Sequence, residues 1–451
     1  MTQLFVPRLK PFVDYGALAE LLAADGGAVA AAAAEYEETL RAYFGAARVY
    51  AVSSGRAAVA LALRVLGIGA GDDVAIPAFT CSAVADAVLS LRAIPHLVDV
   101  SPRHFGLSAR SLRRVLARGR TRAAVAAPLF GAVPPGEEIE SLFAEHGVPW
   151  IEDIAQAFGS RRGGKAAGAA APLAVISTNF DKPYTAGRGG VLVVNDAELA
   201  ARADRLVSRL PVQSDDEAEV ILKGLVISDF LFEAATYEPF ISVELGYLYA
   251  AAEGDAYALG ELVEGGATVA ARHALAAGAK LMPERKAPFA RRVARWFRPR
   301  SAVPRLGEVS RLAPLLAAVG ARHLKAVAAA GERRRRLARM LDDIFAESEE
   351  IRGPVWGGPG DEPWPIRYPA FVRDWERRPD VIKRLAAAAF EAGPFIYPRP
   401  LSGQFPYYKL SRLTGRYLRG AWRAAAAVVN LPLHAGVSED DVRRMAEAMR
   451  G

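Results

Sequence analysis

A single cysteine, Cys81, leaves the chain without a partner for an intramolecular disulfide and without a thiolate cluster for a metal. A reducing, cytoplasmic compartment is therefore expected. The histidines show no metal-ligand spacing, and no metal is expected. No stretch of about 18 uninterrupted apolar residues occurs, which excludes a membrane-spanning helix. The opening MTQLFVPRLKPF has neither the apolar core nor the small-residue cleavage site of a signal peptide. Helix-turn-helix, zinc-finger and RNA-binding signatures are also missing. The net charge of +7 therefore does not imply a nucleic-acid partner, and the positive residues collect at 285–305 and 331–336.

What is present fits a globular enzyme: 52% of residues are hydrophobic and 24% charged. A length of 451 residues predicts two or three domains. Between residues 36 and 200 short apolar strands alternate with helices. Strands are expected at 49–52, 73–77, 95–100, 123–128, 150–153, 175–177 and 191–194. Helices are expected over 57–66, 82–91 and 136–146. This alternation predicts an α/β domain with a mainly parallel sheet sandwiched by helices. Such sheets bind ligands at the carboxyl ends of their strands. The remaining chain divides into an N-terminal segment, 1–35, and a mostly helical insertion, 201–306. After it, 307–451 reads as a connecting helix and a smaller C-terminal α+β domain. There Ser438 is the expected N-cap of the closing helix, with Asp440 and Asp441 in its first turn.

The candidate chemistry centres on Lys182, which follows a strand in STNFDK and precedes the glycine-rich Gly187-Arg188-Gly189-Gly190. Alone it reads equally as a surface lysine. Asp153, however, ends the apolar strand PWIED, where an acid needs a charged partner. Ser54-Gly55 sits at a strand-to-helix turn, where unpaired N–H groups and the helix dipole favour a phosphate. Ser177 can add a hydroxyl to the same anion.

Together these residues resemble the DegT/DnrJ/StrS family of sugar aminotransferases. The resemblance runs through VPRLKPF near the start, YAVSSGRAAVALALRVLGIGAGDDVAIPAFT at 50–80 and LVDVSPRHFGL at 97–107. It continues through GVPWIEDIAQAFGS at 147–160, STNFDK with GRGGVLVVND at 177–196, and LPLHAGVSEDDV at 431–442. The resemblance implies the fold-type-I architecture of pyridoxal-phosphate enzymes and pyridoxal 5′-phosphate as cofactor. It further implies a Schiff base on Lys182, Asp153 at the pyridine nitrogen, and Gln156 beside the ring hydroxyl. Ser54, Gly55 and Ser177 would hold the phosphate. A carboxylate at the ring nitrogen keeps that nitrogen protonated, and the protonated ring is the electron sink. The implied reaction moves an amino group from an amino acid, glutamate, to a nucleotide-linked keto sugar, in a homodimer. Arg311 and His434 are candidate substrate contacts, although hydrogen bonding alone would also account for His434.

Several positions depart from the family pattern. Arg56 replaces the threonine of the phosphate turn. Either its planar fork serves the phosphate dianion, or it faces solvent. Cys81 replaces the aromatic that stacks on the ring; it leaves a small apolar wall and is not expected to be a nucleophile. Pro128-Leu129-Phe130-Gly131 stands where the family has a histidine-bearing strand end. Val309 replaces an asparagine that reaches the partner subunit's phosphate. The chain between Gly190 and Gly307 is longer than the family needs. Within it, 285–300 interleaves arginines with Phe289, Trp296 and Phe297. That stretch suits an anionic membrane surface, a basic rim for a diphosphate-bearing substrate, or a face packed on the partner subunit. A membrane contact would make the protein peripheral and its acceptor lipid-linked. A dehydratase is disfavoured because Lys182 stands where those relatives carry histidine. A non-catalytic or regulatory reuse of the fold is the remaining alternative.

Overall fold

Apolar pentads between glycine-bearing turns form the scaffold. The strands are β1 (Arg48–Val52), β2 (Asp73–Pro77), β3 (Ile94–Val98), β4 (Thr121–Ala126) and β5 (Trp150–Asp153). β6 (Arg161–Arg162) and β7 (Lys165–Ala166) make a short hairpin, followed by β8 (Leu173–Ser177) and β9 (Gly190–Val194). The later strands are β10 (Ile351–Arg352), β11 (Arg367–Val372), β12 (Arg412–Leu413) and β13 (Val428–Pro432). The computed structural model describes residues 6–7, 9–133, 136–231, 309–392, 399–404, 407–413 and 418–450. The basic stretch 285–300, most of the apolar stretch 225–249, and Gly307 and Glu308 lie outside them.

The main sheet has the order β1-β9-β8-β5-β4-β2-β3-β12. All its pairings are parallel except those of β9, which runs antiparallel to both β1 and β8. The mainly parallel sheet expected from the alternating pattern is thus the observed one. β2, β8 and β9 are buried at every position, as strands covered on both faces must be. One face carries the helix Gly55–Val65. The other carries the helices Gly26–Phe44 and Pro314–Phe345, which pack closely where Gly320 meets the Tyr36 ring. The helix Gly26–Phe44 runs straight through residue 35. It starts because Asp25 Oδ1 accepts the Ala28 N–H at 2.8 Å, and stops at Gly45, whose φ of 64° ends the helix in the left-handed region.

A second, antiparallel sheet, β10-β11-β13, carries the closing helix Glu439–Arg450. That helix begins as expected: Ser438 Oγ accepts the Asp441 N–H at 3.0 Å while Asp441 Oδ2 accepts the Ser438 N–H at 2.9 Å. Residues before the first helix tie this sheet's helices to the main domain. Val6 donates to the Ala389 carbonyl at 2.8 Å and accepts from Glu391 N–H at 2.9 Å. No helix among the described residues is long and apolar enough to cross a membrane.

Candidate active site

The carboxyl ends of β1, β2, β4, β5 and β8 converge on one cavity of about 440 Å³. Its wall includes Ser54, Gly55, Arg56, Cys81, Asp153 and Gln156, with Ser177 and Lys182. Each reaches it from a strand end or the turn beyond. The turn at Ser54 depends on two glycines. A Cβ on Gly55 would stand 2.8 Å from Ser177 Cβ, and one on Gly190 would overlap the Ser54 backbone. Their hydrogens let the turn lie directly on the adjacent ends of β8 and β9, where Ser177 and Gly190 are register partners. Ser54 Oγ accepts the Ala57 N–H at 3.1 Å, capping the helix Gly55–Val65 and aiming its positive end into the cavity.

Asp153 Oδ1 accepts the Ala155 N–H at 3.1 Å. Burial pushes its carboxyl above the ordinary range, with the Ala155 bond and the Lys182 charge pulling the other way. A cationic partner in the cavity would relieve that burial penalty. Gln156 Oε1 accepts the Phe130 N–H at 3.0 Å, which fixes the amide against the end of the β4 crossover. Lys182 sits in a loop closed by its own backbone: Thr178 N–H donates to Gly189 O, Lys182 N–H to Asn179 O and Ala186 N–H to Thr178 O, all within 3.1 Å. His323 braces the loop from the helix Pro314–Phe345. Its Nε2 accepts the Asp14 N–H at 3.2 Å, so Nδ1 carries the hydrogen donated to the Thr185 carbonyl at 2.7 Å.

Lys182 Nζ lies 3.3 Å from Asp181 Oδ2, and the Arg367 guanidinium approaches the same oxygen at 3.7 Å. Burial works against ionisation of Asp181, but the Lys182 and Arg367 charges prevail and hold it below the ordinary carboxylate range. The donor set therefore offers a helix N-terminus with two hydroxyls for a phosphate, an amine for a carbonyl carbon, and a carboxylate for a protonated ring nitrogen. Arg56 adds a further observation: its Nε is buried without a hydrogen-bond partner, while NH2 reaches Asp86 Oδ2 at 3.3 Å. These residues fit pyridoxal phosphate.

The sequence model of the DegT/DnrJ/EryC1/StrS aminotransferase family matches residues 15–218 and 259–450. The chain belongs to this family. It is 38% identical over 176 residues to the L-glutamine:scyllo-inosose aminotransferase of Streptomyces griseus, a match covering 38% of this chain and 41% of that protein. It is 36% identical over 168 residues to the GDP-perosamine synthase of Caulobacter vibrioides, covering 37% and 45% respectively. The matched stretches thus span less than half the length of these relatives. Two solved structures share the fold along nearly the whole chain. The aminotransferase TlmJ from Streptoalloteichus hindustanus superposes with a TM-score of 0.68 at 22% identity, covering 99% of this chain and 98% of that one. The sugar aminotransferase CalS13 from Micromonospora echinospora does so with a TM-score of 0.68 at 20% identity, covering 99% of each. The architecture is that of the fold-type-I pyridoxal-phosphate aminotransferases.

Within this family member, the two candidate substrate contacts lie elsewhere than the main cavity wall. Arg311 is exposed, held beside β1 by an antiparallel bridge to Val52, and does not line the cavity. His434 lies behind Lys182, lining a smaller cavity. Its Nδ1 accepts the Gly436 N–H at 3.1 Å and its Nε2 donates to the Pro7 carbonyl at 2.8 Å. Cys81 precedes the helix Ser82–Ser90 and makes no side-chain cap. Burial pushes its thiol up, against a smaller opposing effect of Lys182, which favours a neutral wall over a thiolate.

Sequence reasoning missed Asp181, although it adjoins Lys182, and Arg367. Arg367 begins β11, a strand buried at every position. A lone arginine at the head of so apolar a run (Arg367 to Val372) was the available signal, since a buried guanidinium needs an anion.

Proposed function

We propose that the protein is a pyridoxal-phosphate-dependent aminotransferase that moves an amino group from an amino acid, glutamate, to the ketone of a sugar-like, nucleotide-linked acceptor. One observation carries this reading: Lys182 Nζ faces the same cavity as Asp153 and the capped N-terminus of the helix Gly55–Val65. When bound, the cofactor supplies an electron sink for charge developing on the carbon that bears the amino group. Ser54, Gly55, Ser177 and Arg56 would anchor its phosphate, Asp153 would keep its ring nitrogen protonated, and Gln156 would meet the ring hydroxyl. Lys182 Nζ would hold the cofactor's carbonyl carbon and is the amine placed to move a proton at the donor's Cα. The relatives named for scyllo-inosose and GDP-perosamine support a polyhydroxylated acceptor.

A homodimer belongs to this reading. Arg311 is exposed beside β1 and outside its own chain's cavity wall, a placement that suits contact with a second copy, whereas Val309 is buried in its own chain's core.

The test is spectroscopic. The purified protein with added pyridoxal phosphate should absorb in the visible-to-near-UV, and that band should shift on addition of glutamate. Lys182→Ala should abolish the lysine-bound band. A wild-type protein that takes up no pyridoxal phosphate overturns the reading.

A further inference from the structure

The run Arg333-Arg334-Arg335-Arg336 in the helix Pro314–Phe345 spends its charges unequally. Arg333 donates to the Val437 carbonyl at 2.6 Å, and Arg336 meets Glu439 at 3.4 Å. Arg335 lies 4.7 Å over the Trp364 ring and pairs with Glu332 and Glu362. Arg334 instead turns inward, and its NH1 is buried with no hydrogen-bond partner.

It lines a small cavity, about 20 Å³, directly behind Lys182. Lys10, Arg367 and His434 share that wall with Asp181 and Lys182. Asp181, Lys182 and Arg367 also line the main cavity, so the two spaces adjoin. His434 is neutral there, because Nδ1 accepts and burial disfavours its cation. The lining thus brings Arg334 close to the Asp181 carboxylate, and each keeps an atom buried without a partner, NH1 of Arg334 and Oδ1 of Asp181. Burial and the neighbouring Arg367 push the Arg334 guanidinium down to about 10, the response of a cation lacking a counter-ion.

We propose that Arg334 and Arg367 form the seat for the carboxylate of the amino donor, with Lys10 adding charge and Asp181 receiving the donor's ammonium. The inference rests on the aminotransferase reading and names a residue set for its donor half. A zwitterionic amino acid satisfies both unmet groups at once: the guanidinium NH1 by its carboxylate and Asp181 Oδ1 by its amine. A keto-sugar acceptor carries neither charge at its reacting end, so the seat separates donor from acceptor. Its size agrees. Room for one or two water-sized centres accommodates the two oxygens of a planar carboxylate but not a substituted phosphate. Guanidinium forks match that planar group.

The seat can be read without turnover by calorimetric titration of the cofactor-free protein with glutarate and, separately, inorganic phosphate. Wild type should bind both. Arg334→Gln should weaken glutarate at least 10-fold and leave phosphate binding unchanged, which also shows that the variant is folded. Arg334→Lys should recover part of the glutarate affinity. In the loaded enzyme, Arg334→Gln should raise the donor KM at least 10-fold with the acceptor KM unchanged. Equal glutarate binding by wild type and Arg334→Gln, or no glutarate binding by wild type, overturns the proposal. A loss confined to phosphate overturns it too, since the arginines would then serve the cofactor. Failure to take up pyridoxal phosphate would defeat the aminotransferase reading alone, and the glutarate titration would still decide the seat.

Discussion

Arg56 pairs with one carboxylate and keeps a buried donor unmet. Its NH2 holds Asp86, which also accepts from Tyr407 at 2.6 Å, while its buried Nε faces no acceptor. A phosphate at the Ser54-Gly55 turn would supply one. A hydrogen bond to a charged group contributes roughly 1.5–3 kcal/mol. Arg56→Ala should therefore weaken pyridoxal-phosphate retention by about 10-fold or more. Asp86→Asn, which loosens the ion pair but keeps the fork, should retain the cofactor. Dialysis followed by absorbance measures both, and wild-type retention in Arg56→Ala would refute the assignment. Glu152 shows how strongly one step along a strand changes a carboxyl's setting. It neighbours Asp153 yet accepts the Gly168 N–H at 2.8 Å and lines a separate small cavity. Burial pushes its carboxyl up to about 7, with the Gly168 bond opposing. An acid with a raised folded pKa favours the folded state at low pH and withdraws that support as pH rises towards 7. Glu152→Gln cannot ionise and keeps an acceptor. Relative to wild type, it should gain on the order of 1–3 kcal/mol between pH 5 and pH 8 by urea unfolding. A pH-independent difference would contradict the buried, protonatable state.

At the scale of elements, the phosphate turn is made by close approach rather than by a special dihedral angle. Gly55→Ala places a methyl 2.8 Å from Ser177 Cβ, and both groups belong to packed backbone elements that cannot swing away. Overpacking of this kind costs about 1–3 kcal/mol. Gly69→Ala is the matched control, because nothing lies within 4 Å of its would-be Cβ. The expected result is a lowered urea midpoint and weaker cofactor binding for Gly55→Ala, with Gly69→Ala close to wild type; equal midpoints would remove the packing argument. The elements themselves were largely legible. β2 and β5 run over the expected residues, Asp153 and Ser177 end strands, and Ser54 and Lys182 lie in the turns beyond, because buried pentads and their turns are local patterns. The direction of β9 was not legible. GVLVV is buried on both faces whichever way it runs, and the loop back from Ser177 decides its sense. Arg367 was invisible as a site residue for a related reason. Its role comes from a strand of the second sheet meeting Asp181 across a sequence separation of 186 (367 − 181), which no local pattern encodes.

For the whole molecule, the short stretch of Val6, Pro7, Leu9 and Lys10 is where the two sheets and the site meet. Val6 pairs with the loop at Ala389, Pro7 accepts from His434, Leu9 lines the main cavity, and Lys10 lines the donor seat. His434 therefore fastens the small domain to the wall of the site. Burial drives its pKa down to about 4; the Pro7 carbonyl opposes this, and the Arg334, Lys10 and Arg367 charges add to it. An unfolded histidine titrates near 6.5. Below that pH the unfolded chain takes up a proton that the folded chain refuses until about pH 4. Stability from this group is thus complete above pH 6.5 and is lost as pH falls through that window, on the order of 3 kcal/mol in all. Glu152 and Asp342, pushed up to about 7 and about 6, act with the opposite sign and flatten the wild-type profile. The diagnostic quantity is consequently a difference. His434→Gln keeps a donor for the Pro7 carbonyl but cannot charge. Its stability deficit at pH 8 should shrink or reverse by about 3 kcal/mol at pH 4.5. A deficit that stays constant across that range would mean that His434 is not the acid-labile fastener.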